Sequence, residues 1–202
     1  MKGGIKRCDL KARGIMINGA SGTGKTTLGK ELAKVLEFPH LDLDDYYWPR
    51  DAMGNLCYEE IRPRELIIEH LKNDLSKHSN FVMSGTIGNI LWDFINPLFG
   101  LGILLFVPAE IRIERVKLRS FERYGDRVLV GGDLYEEYQK IYSEIPNYEI
   151  GYHSVSLERH EKWAAKIDCP VLRVDGTKPI SENAAWIAGQ YLSMQQNSVP
   201  KV

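Results

Sequence analysis

Short apolar runs alternate along the chain with stretches whose apolar residues return every three or four positions. Gly14-Ile15-Met16-Ile17-Asn18 reads as a buried strand, and Leu28, Leu32, Val35 and Leu36 behind it fall on one helix face. Phe38-Pro39-His40-Leu41-Asp42-Leu43 reads as a short second strand. Pro63 ahead of Leu66, Ile67, Leu71 and Leu75 predicts a helix over about 62–77. Phe81-Val82-Met83 is a third strand ending at Ser84-Gly85-Thr86, and Ile90 to Phe94 suggests a short helix stopped by Pro97. Ile103 to Val107 is wholly apolar, as a central parallel strand should be. After Pro108 come a charged helix from about Ala109 to Arg123, broken near Gly125, and a glycine-containing segment, Arg127 to Asp133, expected to be mobile. Helices over about 134–145 and 155–167, a last strand Val171–Val174, the turn Asp175-Gly176-Thr177 and a helix from Pro179 to Leu192 complete the pattern. The expected fold class is α/β, a five-stranded parallel sheet with helices on both faces. We expect one domain over 14–195. A basic leader over 1–13, carrying Lys2, Lys6, Arg7, Lys11 and Arg13, precedes it, and a tail over 196–202 follows.

The chemistry is announced between the first strand and its helix. Gly19-Ala20-Ser21-Gly22-Thr23-Gly24-Lys25-Thr26 satisfies G-x-x-x-x-G-K-[ST], a phosphate-binding loop, or P-loop. Its glycines let the backbone turn tightly and aim N–H groups at a polyphosphate over a helix N-terminus. Lys25 is expected on the β- and γ-phosphates, Thr26 on the bridging Mg²⁺, and Thr27 completes the nucleotide-binding stretch. The second strand supplies Asp42-x-Asp44. Carboxylates at i and i+2 of a strand end point the same way, so Asp42 is assigned to the metal shell and Asp44 to the acceptor hydroxyl, with Asp45 in reserve. The competing reading is that these aspartates cap a turn or a helix start. The third strand, ending Met83-Ser84-Gly85, lacks the carboxylate that motor-type and AAA-type ATPases place there, which argues against both. Gly85 instead would let backbone approach an acceptor, or simply make the turn.

Composition narrows the partners. The 202 residues carry 26 basic and 27 acidic side chains, a net charge of −1, so no overall field draws nucleic acid or an anionic membrane. Cys8, Cys57 and Cys169 are far apart without metal-type spacing, which fits reducing cytosol. The longest apolar run, Leu98 to Ala109, is too short to span a bilayer, and the N-terminus has no apolar signal segment. A soluble, cytoplasmic protein acting on a small molecule is expected; monomer and homodimer stay equally open.

Taken together, the loop Gly19 to Thr26, Asp42-x-Asp44, Arg62-x-x-Glu65, the Gly85 turn, arginines after the fourth strand and Asp175-Gly176-Thr177-x-Pro179 resemble the adenylate-kinase-like group of P-loop kinases, which includes shikimate, gluconate and nucleoside or nucleotide kinases. The resemblance spans roughly 14–192. It implies the three-layer P-loop NTPase fold with a helical lid insertion at about 119–133, and ATP with Mg²⁺ as cofactors. By the same resemblance, Arg119 and Arg123 are lid arginines that neutralise the transferred phosphoryl, with Arg127 a weaker third; Lys25, Asp44, Arg119 and Arg123 form the catalytic set. Spacing i, i+4 puts Arg119 and Arg123 on one helix face, where pairing with Glu114, Glu122 or Asp126 is the alternative. Asp175, Gly176, Thr177 and Pro179 are implied to lie against the base, and Arg62 to grip an anionic acceptor. Of Tyr46, Tyr47 and Trp48, two are expected in the core. The third strand lacks the triple glycine of shikimate kinases, and no cysteine-bearing lid is present. The run Asp44 to Trp48 is similar to uridine-kinase-like enzymes and to the topology modulation proteins. The implied activity is transfer of the γ-phosphoryl of Mg-ATP to a hydroxyl or phosphate of a small-molecule acceptor, nucleoside-, nucleotide- or shikimate-like. The alternative is a regulatory nucleotide-binding protein that switches a macromolecular partner.

Overall fold

The computed structural model describes residues 13–50, 54, 56–57, 60–87, 91–151 and 155–197. The leader apart from Arg13, Cys8, Asn55, Ile90 and the last five residues of the tail lie outside them. The first strand, β1 (Arg13–Gly19), runs into the loop and then α1 (Lys25–Leu36). β2 (His40–Asp42) passes directly into a short helix, α2 (Leu43–Tyr47), and α3 (Arg64–Leu75) leads to β3 (Asn80–Ser84). α4 (Trp92–Ile95) and a 3₁₀ turn, Asn96–Leu98, precede β4 (Phe99–Phe106). Then come α5 (Ala109–Tyr124), a 3₁₀ turn at Gly125–Val128, α6 (Tyr135–Glu144), α7 (Asn147–Ile150), α8 (Leu157–Lys166), β5 (Val171–Asp175) and α9 (Ile180–Asn197).

The five strands form one parallel sheet in the order β2-β3-β1-β4-β5. Alternation along β1 divides the core. Ile15 and Ile17 face α1 and α9 with Leu28, Leu32 and Ile187, whereas Met16 faces the side covered by α3, α4 and α8 with Leu71, Ile95 and Trp163. Each such buried aliphatic side chain is worth about 2 kcal/mol of transfer free energy. Register brings Asp42 level with Ser84, Gly19 with Leu105, and Phe106 with Asp175, so the chemistry-bearing residues share the carboxyl edge. There β1 feeds a helix on one face while its neighbour β3 feeds one on the other, and the crevice between diverging connections is where such sheets bind ligands.

Several expectations need correction. Asp44 does not stand at a strand end: β2 stops at Asp42, because Asp42 caps α2 by accepting the Asp44 N–H at 3.2 Å. Strand alternation therefore does not explain how the two carboxylates converge. The helix expected over 62–77 starts after Pro63, whose fixed backbone leads into Arg64. The fourth strand begins at Phe99 rather than Ile103: Gly100 and Gly102 interrupt its apolar look, and the pairing with β1 slips by one residue at Gly100 but resumes at Leu101. The segment Arg127–Asp133 is not an open loop but a run of turns. Arg127 Nη2 binds Asp133 Oδ2 at 2.7 Å, and backbone bonds Leu129 to Asp126, Gly132 to Leu129 and Leu134 to Arg127 fold it into successive turns. The stretch expected to open the lid, 119–124, is the continuous end of α5. The short α2 and α7 were not expected, and the closing helix runs past Leu192 to Asn197.

Candidate active site

The loop between β1 and α1 is drawn closed around the Ala20 carbonyl, which accepts from Thr23 Oγ1 and from the Lys25 ammonium, both at 2.9 Å. Gly22 has φ +80°, and a Cβ there would lie 2.7 Å from the Arg112 carbonyl oxygen; backbone conformation and space both demand glycine. The N-terminus of α1 carries no side-chain cap and no acidic residue in its first turn, so its N–H groups stay available to an anion. Lys25 is part-buried as a residue, and its ammonium is the desolvated part. Burial draws its pKa from 10.5 to about 8, against the attraction of Asp44 and Asp42 and with the help of Arg119 and Arg112.

Beside the lysine, Thr26 Oγ1 donates to Asp42 Oδ2 at 2.8 Å, joining the first turn of α1 to the end of β2. A hydroxyl and a carboxylate in contact are hard oxygen donors of the kind that hold Mg²⁺ when phosphates and water complete the shell. Among the described residues no group of three or more His, Cys, Asp or Glu could hold a metal by itself. Asp44, one residue into α2, is raised above the usual carboxylate range by burial and then by Asp42, with Lys25 and Arg119 pulling the other way. Asp45 is turned into an ion pair with Arg50. Tyr46 and Tyr47 are buried, as expected for two of the three aromatics, and Trp48 packs partly against the same core.

The other expected residues divide. Arg119, exposed on α5, exerts its charge on both Lys25 and Asp44. Arg123, one turn on, lies over the Tyr124 ring, 5.2 Å from its centroid, and Arg127 is held by Asp133. Arg62 Nη1 donates to the Asp45 and Tyr46 carbonyls at 2.7 and 3.0 Å, closing the C-terminus of α2. Gly85 has φ +138°, and a Cβ there would meet Leu43 at 2.7 Å, so its first requirement is the packing of α2. At the far end of the sheet, Asp175 Oδ1 accepts from the Thr177 N–H and hydroxyl at 2.9 and 2.6 Å, and Asp175, Thr177 and Pro179 are exposed.

Two arginines of α5 were missed by sequence reasoning. Arg115 bridges the loop and the β5 turn, donating from Nη1 to the Thr23 carbonyl at 3.3 Å and from Nη2 to the Gly176 carbonyl at 3.1 Å. Arg112, 1% exposed, binds the Val107 carbonyl at 3.0 Å and the Glu149 carboxylate, and lies over the Tyr148 ring. The spacing 112, 115, 119 was the available signal, since i, i+3 and i+7 share a helix face.

With this geometry in view, comparison with known proteins places the chain. The sequence pattern of the family described as AAA domain matches residues 15–142. The chain belongs to that family. The expectation that it falls outside AAA-type proteins is thereby corrected in name, although β3 of this AAA-domain protein still ends in Ser84-Gly85 with no carboxylate. The uncharacterized protein YqaC of Bacillus subtilis is 36% identical over 183 residues, covering 90% of this chain and 98% of the relative. A shikimate kinase of Alteromonas mediterranea is 29% identical over 153 residues, covering 68% of this chain and 86% of the enzyme. A solved structure of a putative kinase from Chloroflexus aurantiacus superposes with a TM-score of 0.51 at 17% identity, covering 92% of this chain and 98% of that one. The fold and loop are those of P-loop kinases of the shikimate and adenylate kinase type. Among the described residues no helix is long and apolar enough to cross a membrane.

Proposed function

We propose that the protein transfers the γ-phosphoryl group of Mg-ATP to a small hydroxylated or phosphorylated acceptor. The observation that carries this reading is the contact of Thr26 Oγ1 with Asp42 Oδ2 at 2.8 Å beside a desolvated Lys25, with Asp44 within their field. Loop amides at the uncapped start of α1 bind the phosphates, and Lys25 leaves the Ala20 carbonyl for the β- and γ-phosphates. Thr26 and Asp42 would hold Mg²⁺, which neutralises phosphate charge when bound. Asp44, its pKa raised by burial and by Asp42, orients the acceptor hydroxyl and takes its proton as the new O–P bond forms and the bond to the β-phosphate oxygen breaks. Arg119 faces the developing charge from α5, and Arg115 fixes the Asp175–Pro179 turn against which the base lies.

The test is ADP formation from Mg-ATP with a panel of nucleosides, nucleoside monophosphates, sugar acids and shikimate, with Lys25→Ala as control. One acceptor raising the rate at least tenfold, with the rate lost in Lys25→Ala, supports the reading. Tight ATP binding with no stimulation by any acceptor would turn it toward a nucleotide switch.

A further inference from the structure

A second concavity lies on the sheet face away from α1. It measures about 580 Å³ and is lined by Trp92 and Asp93 of α4 and by Arg159, Lys162, Trp163 and Lys166 of α8. None of the P-loop, Asp42, Asp44, Arg62 or Gly85 takes part in its walls. Its volume is that of a small-molecule site. Arg159, Lys162 and Lys166 stand at i, i+3 and i+7, so one stripe of α8 presents three cations to the cleft, opposed by the single acid Asp93. Lys162 shares its charge with Glu158 in a solvent-exposed pair, which is weak and exchangeable, and Lys166 forms no ion pair among the described residues. Trp163, 3% exposed and packed into the core, forms the floor of the cleft. Trp92, half-buried, adds a flat apolar wall.

We infer that the cleft between α4 and α8 is a second ligand site, separate from the phosphate loop, for a small planar heterocycle carrying an anionic group, such as a nucleoside monophosphate. The ring stacks on Trp92, and the anion meets the α8 cations. The site does not depend on phosphoryl transfer, and its test reads binding alone.

Isothermal titration of the whole protein with 5′-UMP, without ATP, decides the matter. Saturable binding is expected, weakened at least tenfold in the exposed-site double variant Lys162→Ala/Lys166→Ala and at least fivefold in Trp92→Ala, but changed less than twofold in Lys25→Ala. Absence of saturable binding to the wild-type protein overturns the inference. So does an unaltered affinity in the lysine double variant, or loss of binding in Lys25→Ala, which would put UMP at the loop. Inorganic phosphate competing as well as UMP would remove the planar ring from the proposal.

Discussion

Raising the pH from 7 to 9 should weaken ATP binding about tenfold through a single group, Lys25. Its ammonium is desolvated against the Ala20 carbonyl, and its pKa falls from 10.5 to about 8. That fall corresponds to about 3 kcal/mol against the charged form. A triphosphate beside the ammonium reverses the penalty and holds the proton to a pH above the ordinary lysine value. At pH 9 about nine-tenths of the empty sites have lost the proton and must take it up to bind, so log Kd rises by about one per pH unit above pH 8. The same depressed pKa means that the unfolded chain binds more protons between about pH 8 and 10.5, so the empty protein gains stability across that window as pH rises. Calorimetric titration at pH 7 and 9, in two buffers of different ionisation heat, reads both the affinity and the proton uptake. Lys25→Arg, charged throughout, should bind with no such slope. Equal affinity at both pH values, or an unchanged slope in Lys25→Arg, would refute the role of a desolvated lysine.

Asp44→Asn should lower kcat at least about hundredfold while leaving the Kd for ATP within about threefold, measured by steady-state turnover and equilibrium titration; equal losses in both would assign Asp44 to the metal. In the native enzyme the raised Asp44 pKa should bring the acid limb of the rate profile above the usual carboxylate range. Gly22→Ala combines a φ of +80° with a 2.7 Å clash against Arg112, a cost of roughly 1–3 kcal/mol, and thermal unfolding should register a lower Tm; an unaltered Tm would mean that the loop tolerates a Cβ. Burial pulls His160 from 6.5 to about 4, so the unfolded chain binds the extra proton between those pH values and stability falls on acidification through them by up to about 3 kcal/mol. Denaturant titrations should show that acid slope flattened in His160→Phe/Tyr148→Phe, which removes both partners of the 2.8 Å bond; the same slope in both proteins would exonerate His160. Arg115→Ala should raise the KM for ATP, since it ties Thr23 to Gly176, whereas Arg119→Ala should lower kcat with little change in KM. Identical kinetic signatures for the two would erase that distinction.

The parts of the fold written in consecutive residues were legible. Ile15-Met16-Ile17 followed by three glycines and a lysine could form little other than a strand, a phosphate loop and a helix, and they do. What escaped depended on competition between local and distant contacts. Asp42 ends β2 because its own carboxylate caps α2, and this turns Asp44 from a strand position into a helix position. Arg127 carries the same charge as Arg119, yet Asp133 six residues on captures it, while Arg119 is left to act on Lys25 and Asp44. A string of arginines does not say which of them will be sequestered. The Tyr148–His160 contact joins α7 and α8, and no period within either segment announces it.

The α5 helix resolves how one loop can be both held and free to bind. Burial decreases along its arginine face: Arg112 is enclosed, Arg115 part-buried and Arg119 exposed. Arg112 spends its charge on Val107, Ile145 and Glu149, which fixes the helix start against Gly22. Arg115 donates to backbone carbonyls of the loop and of the β5 turn, so the two segments that the proposed reading sets against one nucleotide are tied at a fixed spacing. The first two turns of α5 are anchored in this way, and Arg119 stands on the same continuous helix, which ends at Tyr124. On the proposed phosphoryl-transfer reading, a cation carried by an anchored helix would meet the reacting phosphoryl with less of its approach left to order, and preorganisation of that kind is what makes electrostatic stabilisation of a transition state strong.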